Sequence, residues 1–460
     1  MLIRRCLSWF ALLSLWAICL SCGQNYRLPI IQVPGDPGDP KLYHFAMTIN
    51  ATDPATNANI PGTVLQIDTA GDQDVGEAKV GRGPIYATLL PTGAANRIYI
   101  ANSLEDTVTT TTAAPLACSP GPVCPIGTVS TITMPTGSGP SFLNSTEASN
   151  MYVILPNRGV SSPPPPPSLG VIAIFQNSLA QQIPLPAGNP VAMVELPNGH
   201  KLYVLDEANN AVYVVQTSSR QIVQTLSVGV SPTMALASPD NSAVYVMTNN
   251  GIFVIDALTD QVISGGLTTT GQPNSMAYDV KLNRLYVTDT SGRVGVFNTA
   301  VPPGTLPTSL LITPAGFVPG ALGVAPLPDG TRFYVLGNPD PSGGPTSLTL
   351  TAVDSLTLQS LPIGGLPSYA LDCLNSRPAD TAPQCLNVAP EVPACKSVRF
   401  RFMVGASADS GRIYVSSCDA GGTYVFRTSD NTGVRKVASP AQPSGANSVP
   451  QNPVFLITGR

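Results

Sequence analysis

Two histidines, His44 and His200, are the whole imidazole inventory of this 460-residue chain. Imidazole is the side chain that moves protons near neutral pH, so general acid–base work has little to draw on. His200 follows the Asn198-Gly199 turn ahead of an apolar run, the setting of a solvated residue, and His44 lies inside an apolar stretch and is expected to be packed. The sequence has no Gly-x-Ser-x-Gly elbow and no Cys-x-x-Cys-His run, which argues against a Ser–His–Asp hydrolase and against covalent haem. Carboxylates remain. Asp68, Asp256 and Asp354 end similar short apolar runs, as turn-capping side chains do, rather than one shared active site. Asp206, Asn249 and Asp289 follow Tyr-Val runs and form the candidate rim for a ligand or Ca²⁺. No catalytic residue, cofactor or dedicated metal site is assigned.

The nine cysteines divide into two groups. Cys6, Cys19 and Cys22 lie in the first 22 residues, and Cys118, Cys124, Cys373, Cys385, Cys395 and Cys418 lie in the body. An even body count in an exported chain points to disulfides. Cys118 and Cys124 flank a Pro-Gly turn and suit a local bridge; the other four allow three connectivities. Zinc is disfavoured, because no Cys-x-x-Cys pair occurs among the body cysteines and histidine is nearly absent.

Residues 1–21 read as a secretory signal: Arg4 and Arg5, an apolar run from Cys6 to Leu20, then Ser21. The apolar run is shorter than the roughly 20 residues a spanning helix needs. Cys19-Leu20-Ser21-Cys22 resembles a bacterial lipobox, departing from it in having Cys19 where Leu is usual. The resemblance implies cleavage before Cys22, a lipid on that residue and a membrane anchor, with Gly23 favouring the outer membrane. Residues 22–41 are then a Pro/Gly-rich linker. Charged residues make up only 11% of the chain, apolar ones 43%, and the net charge is −4, so a large core is available and nucleic acid is an unsuitable partner.

The body, residues 42–460, is a repeat. A polar turn, often with Arg or Lys, then an apolar residue, Tyr and usually Val, recurs around Tyr99, Tyr152, Tyr203, Tyr245, Tyr286, Tyr334 and Tyr414, with a looser copy at Tyr43. The spacing from Tyr203 to Tyr245 to Tyr286 matches the ~40–45 residues of a four-stranded propeller blade. Within that unit a small-residue strand, a Pro-Asp turn, the Tyr strand, an Asn-Asn-Gly turn and a third strand follow in order. The pattern predicts an all-β fold, a single β-propeller of seven or eight blades with the count favouring eight. Asn452–Ile457 reads as an inner strand with no blade after it, and is expected to close the ring against the first unit. Longer intervals hold insertions: the Cys118–Cys124 loop, Pro163–Pro167, and residues 373–395, which are expected to cover one end of the ring and contribute to partner binding.

Tyr203-Val204-Leu205-Asp206, Tyr245-Val246-Met247-Thr248-Asn249 and Tyr286-Val287-Thr288-Asp289 resemble the YVTN-type β-propeller repeats of exported and cell-surface proteins. That resemblance implies an extracytoplasmic location in the cell envelope and little about chemistry. Two functions are compatible with these features. One is a monomeric, non-enzymatic binding or scaffolding lipoprotein whose partner is a protein or a carbohydrate. The other is a lactonase-type hydrolase resembling 6-phosphogluconolactonase propellers, which calls for His, Arg and Glu at one mouth.

Overall fold

The computed structural model describes residues 45–458 except 69–71, 91–96, 113–129, 147–148, 160–161, 314–316, 319, 339–347, 363–368, 371–394, 396–397 and 445–446. Eight antiparallel blades stand around one axis, each with four strands from the axis outward. Blade 2 is Pro84–Leu90, Arg97–Asn102, Thr107–Thr112 and Ser130–Thr133, and blade 3 is Phe142–Asn144, Asn150–Leu155, Ser168–Ala173 and Ser178–Pro184. Blade 4 is Pro190–Glu195, Lys201–Asp206, Ala211–Gln216 and Gln221–Ser227; blade 5 is Met234–Ala237, Ala243–Thr248, Gly251–Asp256 and Gln261–Leu267. Blade 6 is Pro273–Asp279, Arg284–Asp289, Val294–Asn298 and Thr308–Ile312. Blade 7 is Ala321–Pro326, Arg332–Gly337 and Thr349–Asp354, with Ser360–Leu361 and Tyr369–Ala370 both pairing to its third strand. Blade 8 is Phe402–Ala406, Arg412–Ser417, Gly422–Arg427 and Thr432–Ala438.

Blade 1 is assembled from both ends of the body. Asn452–Thr458 forms its innermost strand and pairs with Phe45–Ala51, which pairs in turn with Pro61–Asp68 and then Gln73–Arg82. The ring is therefore closed by the C-terminal strand, as the sequence predicts, and the blade count is eight. The first repeat needs a correction. Phe45 pairs with Asp68 as Ala243 pairs with Asp256, so the residue equivalent to Tyr245 is Met47, and Tyr43 precedes the strand and lies outside the described residues. Met47 fills the same wholly buried place without a hydroxyl.

The second and third strands are buried almost continuously because both faces pack on neighbouring blades, and the core runs between blades rather than inside any one of them. Outer strands such as Gln221–Ser227 have one side toward water and alternate accordingly.

What the repeated basic residue and tyrosine do is visible at the end of the ring that carries the turns between first and second and between third and fourth strands. Each basic side chain reaches the turn of the following blade. Arg97 donates to the Ile174 carbonyl at 3.0 Å. Lys201 Nζ donates to the Ala257 carbonyl at 2.9 Å and to Asp260 Oδ2 at 2.7 Å, while the Tyr203 hydroxyl donates to Asp260 Oδ1 at 2.7 Å. Arg284 donates to the Ser355 carbonyl. Arg332 Nη1 donates to the Thr428 carbonyl at 2.5 Å, and both Arg332 and the Tyr334 hydroxyl donate to Asn431 Oδ1. Arg412 pairs bidentately with Asp72 at 2.6 and 3.0 Å, joining blade 8 to blade 1. The receiving residues Asp72, Asp260 and Asn431 sit with φ near +50°, a conformation that Asp and Asn adopt more readily than most residues.

Candidate functional site

At the opposite end, the mouth, chain enters each inner strand from a linker and leaves each second strand through a tight turn. Asp206 and Asp289 stand at the ends of their second strands, as the sequence places them, and each carboxylate collects local donors. Asp206 accepts from the Asn189 and Asn209 amides, the Asn209 side chain and the Tyr213 hydroxyl at 2.9–3.1 Å, and is fully buried. Asp289 accepts from Gly271, Ser291 and Arg293 amides and the Ser291 hydroxyl. Burial would raise its pKa, but these donors outweigh burial and hold the carboxyl below its usual range. The linkers press close: a Cβ on Gly188 would lie 1.9 Å from Asp206 Oδ2, and one on Gly271 would lie 2.8 Å from the Ser291 amide. Asn249 is one residue further on, past Thr248, exposed, and accepts from Gln272 Nε2 at 2.8 Å. The three candidate rim residues thus share the mouth but brace linkers separately, and do not converge on one point.

Asp256 and Asp354, at the other end, cap turns. Asp256 accepts from the Leu258 amide at 2.9 Å and the Thr259 hydroxyl at 2.9 Å; Asp354 accepts from the Leu356 and Thr357 amides. The Asp68 side chain, His44, Cys22, Cys118, Cys124, Cys373 and Cys385 lie outside the described residues. His200 is in the turn between the first and second strands of blade 4, so it stands at the opposite end of the ring from the mouth.

The convergence at the mouth comes from elsewhere. Cys395 and Cys418 form a disulfide with Cα atoms 5.8 Å apart, both buried, and the Cys418 amide donates to the Arg401 carbonyl at 3.0 Å. This pins the segment just before blade 8, and from it Arg399 crosses the axis. Its guanidinium donates to the Val191 carbonyl of blade 4, which faces blade 8 across an eight-membered ring, and to the Thr233 carbonyl ahead of blade 5 at 2.8 Å. The Val191 carbonyl belongs to an inner-strand edge, whose unpaired backbone groups face the axis, and Thr233 immediately precedes the next inner strand.

Around Arg399 is an aromatic cluster drawn from three blades and the pinned segment. Tyr86 stacks on Phe142 with centroids 4.0 Å apart and lies 4.4 Å from Phe455 and 5.7 Å from Phe400. Arg399 sits 5.1 Å above the Phe400 ring and 5.7 Å from that of Phe142, within cation–π range. Protein surrounds the guanidinium, and burial lowers its pKa, with Tyr86 and Glu207 opposing that shift; water nevertheless reaches the side chain along the channel. Among the described residues no carboxylate lies within ion-pair distance of Arg399. The Tyr86 hydroxyl likewise has no protein hydrogen-bond partner there, and burial pushes its pKa well above the ordinary tyrosine value, with Arg399 pulling less strongly the other way. A guanidinium and a protonated phenol therefore stand close together at the mouth.

Polar groups ring this pair. Glu207 accepts from the Ser231 hydroxyl at 2.8 Å and from Asn189 Nδ2 at 2.9 Å, and Arg158 donates to Asn189 Oδ1. Further along the wall, Ala87, Thr88, Leu89 and Phe455 to Thr458 line a cavity of about 220 Å³, smaller than pockets that enclose a whole ligand. Arg399 and Tyr86 were not candidates on sequence grounds. The available signals were the Arg-Phe-Arg-Phe alternation from Arg399 to Phe402 beside Cys395, and a tyrosine outside the repeat phrase.

No family model matches the sequence, and no curated protein matches it. Solved structures are similar in fold. A dihydro-heme d1 dehydrogenase, NirN, in complex with DHE aligns over 93% of this chain and 76% of that one, at 15% identity and a TM-score of 0.58. Apo AztD from Citrobacter koseri covers 90% of this chain and 98% of its own, at 12% identity and a TM-score of 0.57. A functionally unknown protein from Desulfotomaculum acetoxidans covers 70% of this chain and 95% of its own, at 13% identity and a TM-score of 0.50. At these identities the likeness is of the propeller fold alone.

Proposed function

We propose that this chain is a non-enzymatic binding propeller of the bacterial cell envelope, a YVTN-type repeat protein tethered through Cys22, and that its mouth takes an acidic carbohydrate. The observation that carries the reading is the Arg399 guanidinium: held at the axis by two backbone carbonyls, open to water and free of any described carboxylate partner. A cation so placed gains most from an anion that brings its own charge, and the Tyr86 hydroxyl supplies a second donor beside it. Asn189, Ser231, Glu207 and Arg158 offer the planar and hydroxyl groups that hold sugar hydroxyls. A lactonase-type site would need a histidine beside Arg399 and Glu207, and His200 stands at the opposite end of the ring from both.

Calorimetric titration of the purified protein with oligogalacturonate, and with its neutral methyl ester, tests this. Binding of the acid form, weakened about tenfold or more by Arg399→Gln and absent for the ester, is the expected result; a tenfold change corresponds to ~1.4 kcal/mol. Equal binding of acid and ester, or equal binding by the Arg399→Gln variant, overturns the reading.

A further inference from the structure

The turn end of the ring carries exposed apolar side chains in a regular arrangement. Phe175, Leu258 and Leu356 are 94%, 65% and 70% exposed. They are equivalent in register. Ala173, Asp256 and Asp354 pair with the first residues of their second strands, and each apolar residue stands two places beyond, at the tip of the turn into the fourth strand. The same place in blades 4, 6 and 8 holds Ser218, Ala300 and Ser429. Exposed apolar tips therefore stand on blades 3, 5 and 7, spread around the rim. Val280, 65% exposed in a turn of blade 6, adds to the same end.

Turns on soluble surfaces have no reason to place Phe and Leu at the equivalent tips of every second blade while Ser and Ala stand between them. The polypeptide itself names a partner. Phe45 begins the second strand of blade 1, which runs from this same end toward the mouth, so the N-terminal segment joins the body at the end that bears the tips. Blade 1 is also the missing corner of the set 1, 3, 5, 7. The segment upstream contains Cys22 and the linker, and residues 23–44 reach at most roughly 75 Å when extended, so a tether alone leaves the body free to turn over.

We infer that the turn end docks on the bilayer to which the chain is tethered, with Phe175, Leu258 and Leu356 entering the interfacial layer and the mouth turned away from the membrane. The inference rests on the reading that Cys22 carries the tether. Three side chains add little affinity by themselves, but a tether raises their local concentration at the surface, so weak insertion suffices to set orientation. Charge selects the lipid. The basic residues Arg97, Lys201, Arg284, Arg332 and Arg412 are occupied by inter-blade contacts, whereas Asp240, Asp256, Asp329, Asp354, Asp409 and Asp430 cap turns at this end. Against these aspartates stand Arg220, Lys281 and Arg427, the last paired with Asp430, so the described face keeps an acidic excess and suits zwitterionic rather than anionic lipid.

The only tryptophans in the chain are Trp9 and Trp16, both in the signal segment, so the processed protein offers a dark background. Phe175→Trp, Leu258→Trp and Leu356→Trp variants, with Leu104→Trp at the mouth as control, are reconstituted as full-length processed protein into vesicles of brominated phosphatidylcholine. Mass spectrometry of the N-terminal peptide reports the lipid on Cys22 separately. Emission from the three tips is expected to be quenched several-fold more than that of Leu104→Trp, and the difference to shrink as phosphatidylglycerol is added. Tip emission quenched no more than the control, in protein whose Cys22 is lipidated, overturns the inference while sparing the tether. Selective quenching without lipid on Cys22 supports the docking face and removes the tether instead.

Discussion

At the turn end Lys201, Arg332 and Arg412 each reach the next blade by the same route, whereas at the mouth Arg399 makes contacts that occur nowhere else among the described residues. The first set is redundant in kind: a basic residue meeting an Asp or Asn in the neighbouring turn, joined at Tyr203 and Tyr334 by the hydroxyl of the tyrosine two places on. Nearest-neighbour contacts of this sort are how a repeat fold holds its units in series. The second is singular, and it arises where the repeat is interrupted, in the segment between blades 7 and 8 that is pinned by Cys395–Cys418. In this molecule the recurring residues carry the scaffold, and the group suited to a ligand comes from the departure. Changes at the two ends should therefore separate stability from binding.

The largest effect is expected where one contact closes the whole ring. Arg412 and Asp72 form a bidentate pair with side chains only 17% and 6% exposed, between blades 8 and 1. Replacing one partner of a buried pair leaves the other charge uncompensated, which costs about 3–5 kcal/mol. Arg412→Ala should lower the thermal midpoint by several degrees in calorimetry and leave the affinity of folded protein for oligogalacturonate unchanged. A midpoint equal to that of the parent would show that closure rests on the Asn452–Thr458 strand alone.

How much of this was legible in the sequence follows from the same division. Tyr203, Tyr245 and Tyr286 revealed blade length because each second strand buries a tyrosine against the neighbouring blade. The closing strand was legible because Val454 to Ile457 is an apolar run with no partner after it in sequence. The first repeat was misplaced by Tyr43, since only strand register identifies Met47 as its equivalent. Asp206 and Asp289 were found but read as a rim, and their donors come from linkers whose proximity no spacing reveals. Arg399 was missed because its partners, Val191, Thr233 and Phe142, are remote in sequence and contribute two backbone carbonyls and a ring face.

A smaller effect is expected from one recurring tyrosine. Tyr203→Phe removes a hydrogen bond to Asp260, which keeps Lys201, and should cost about 1–2 kcal/mol in denaturant unfolding. The tyrosines also give the pH dependence a sign. Burial raises the hydroxyl pKa of Tyr99, Tyr203, Tyr245, Tyr286 and Tyr334, so the native state keeps protons that the unfolded chain releases. That stabilisation is fully present below the unfolded value of about 10 and is lost as pH rises past it toward the folded values. Unfolding midpoints should fall steeply above that pH, and less steeply for Tyr203→Phe than for the parent. Parallel curves would mean that Tyr203 adds nothing to the slope.

The smallest effect on stability is expected from the residue with the largest expected effect on binding. Arg399→Gln breaks two hydrogen bonds, but Val191 and Thr233, whose carbonyls it leaves, are partly exposed, so water can take the place of the lost donors. Neither its loss of charge nor its cavity opens a dry core, because the aromatic cluster of Tyr86, Phe142 and Phe455 is held by blades 1 to 3 and keeps its mutual contacts. The change in unfolding free energy should stay within ~0.5 kcal/mol, the range of ordinary surface substitutions. Equilibrium denaturation of parent and variant, run beside the oligogalacturonate titration, reads both quantities on one preparation. A loss of stability comparable to that of Arg412→Ala would make Arg399 a structural brace across the ring, and the two ends would then differ in form but not in role.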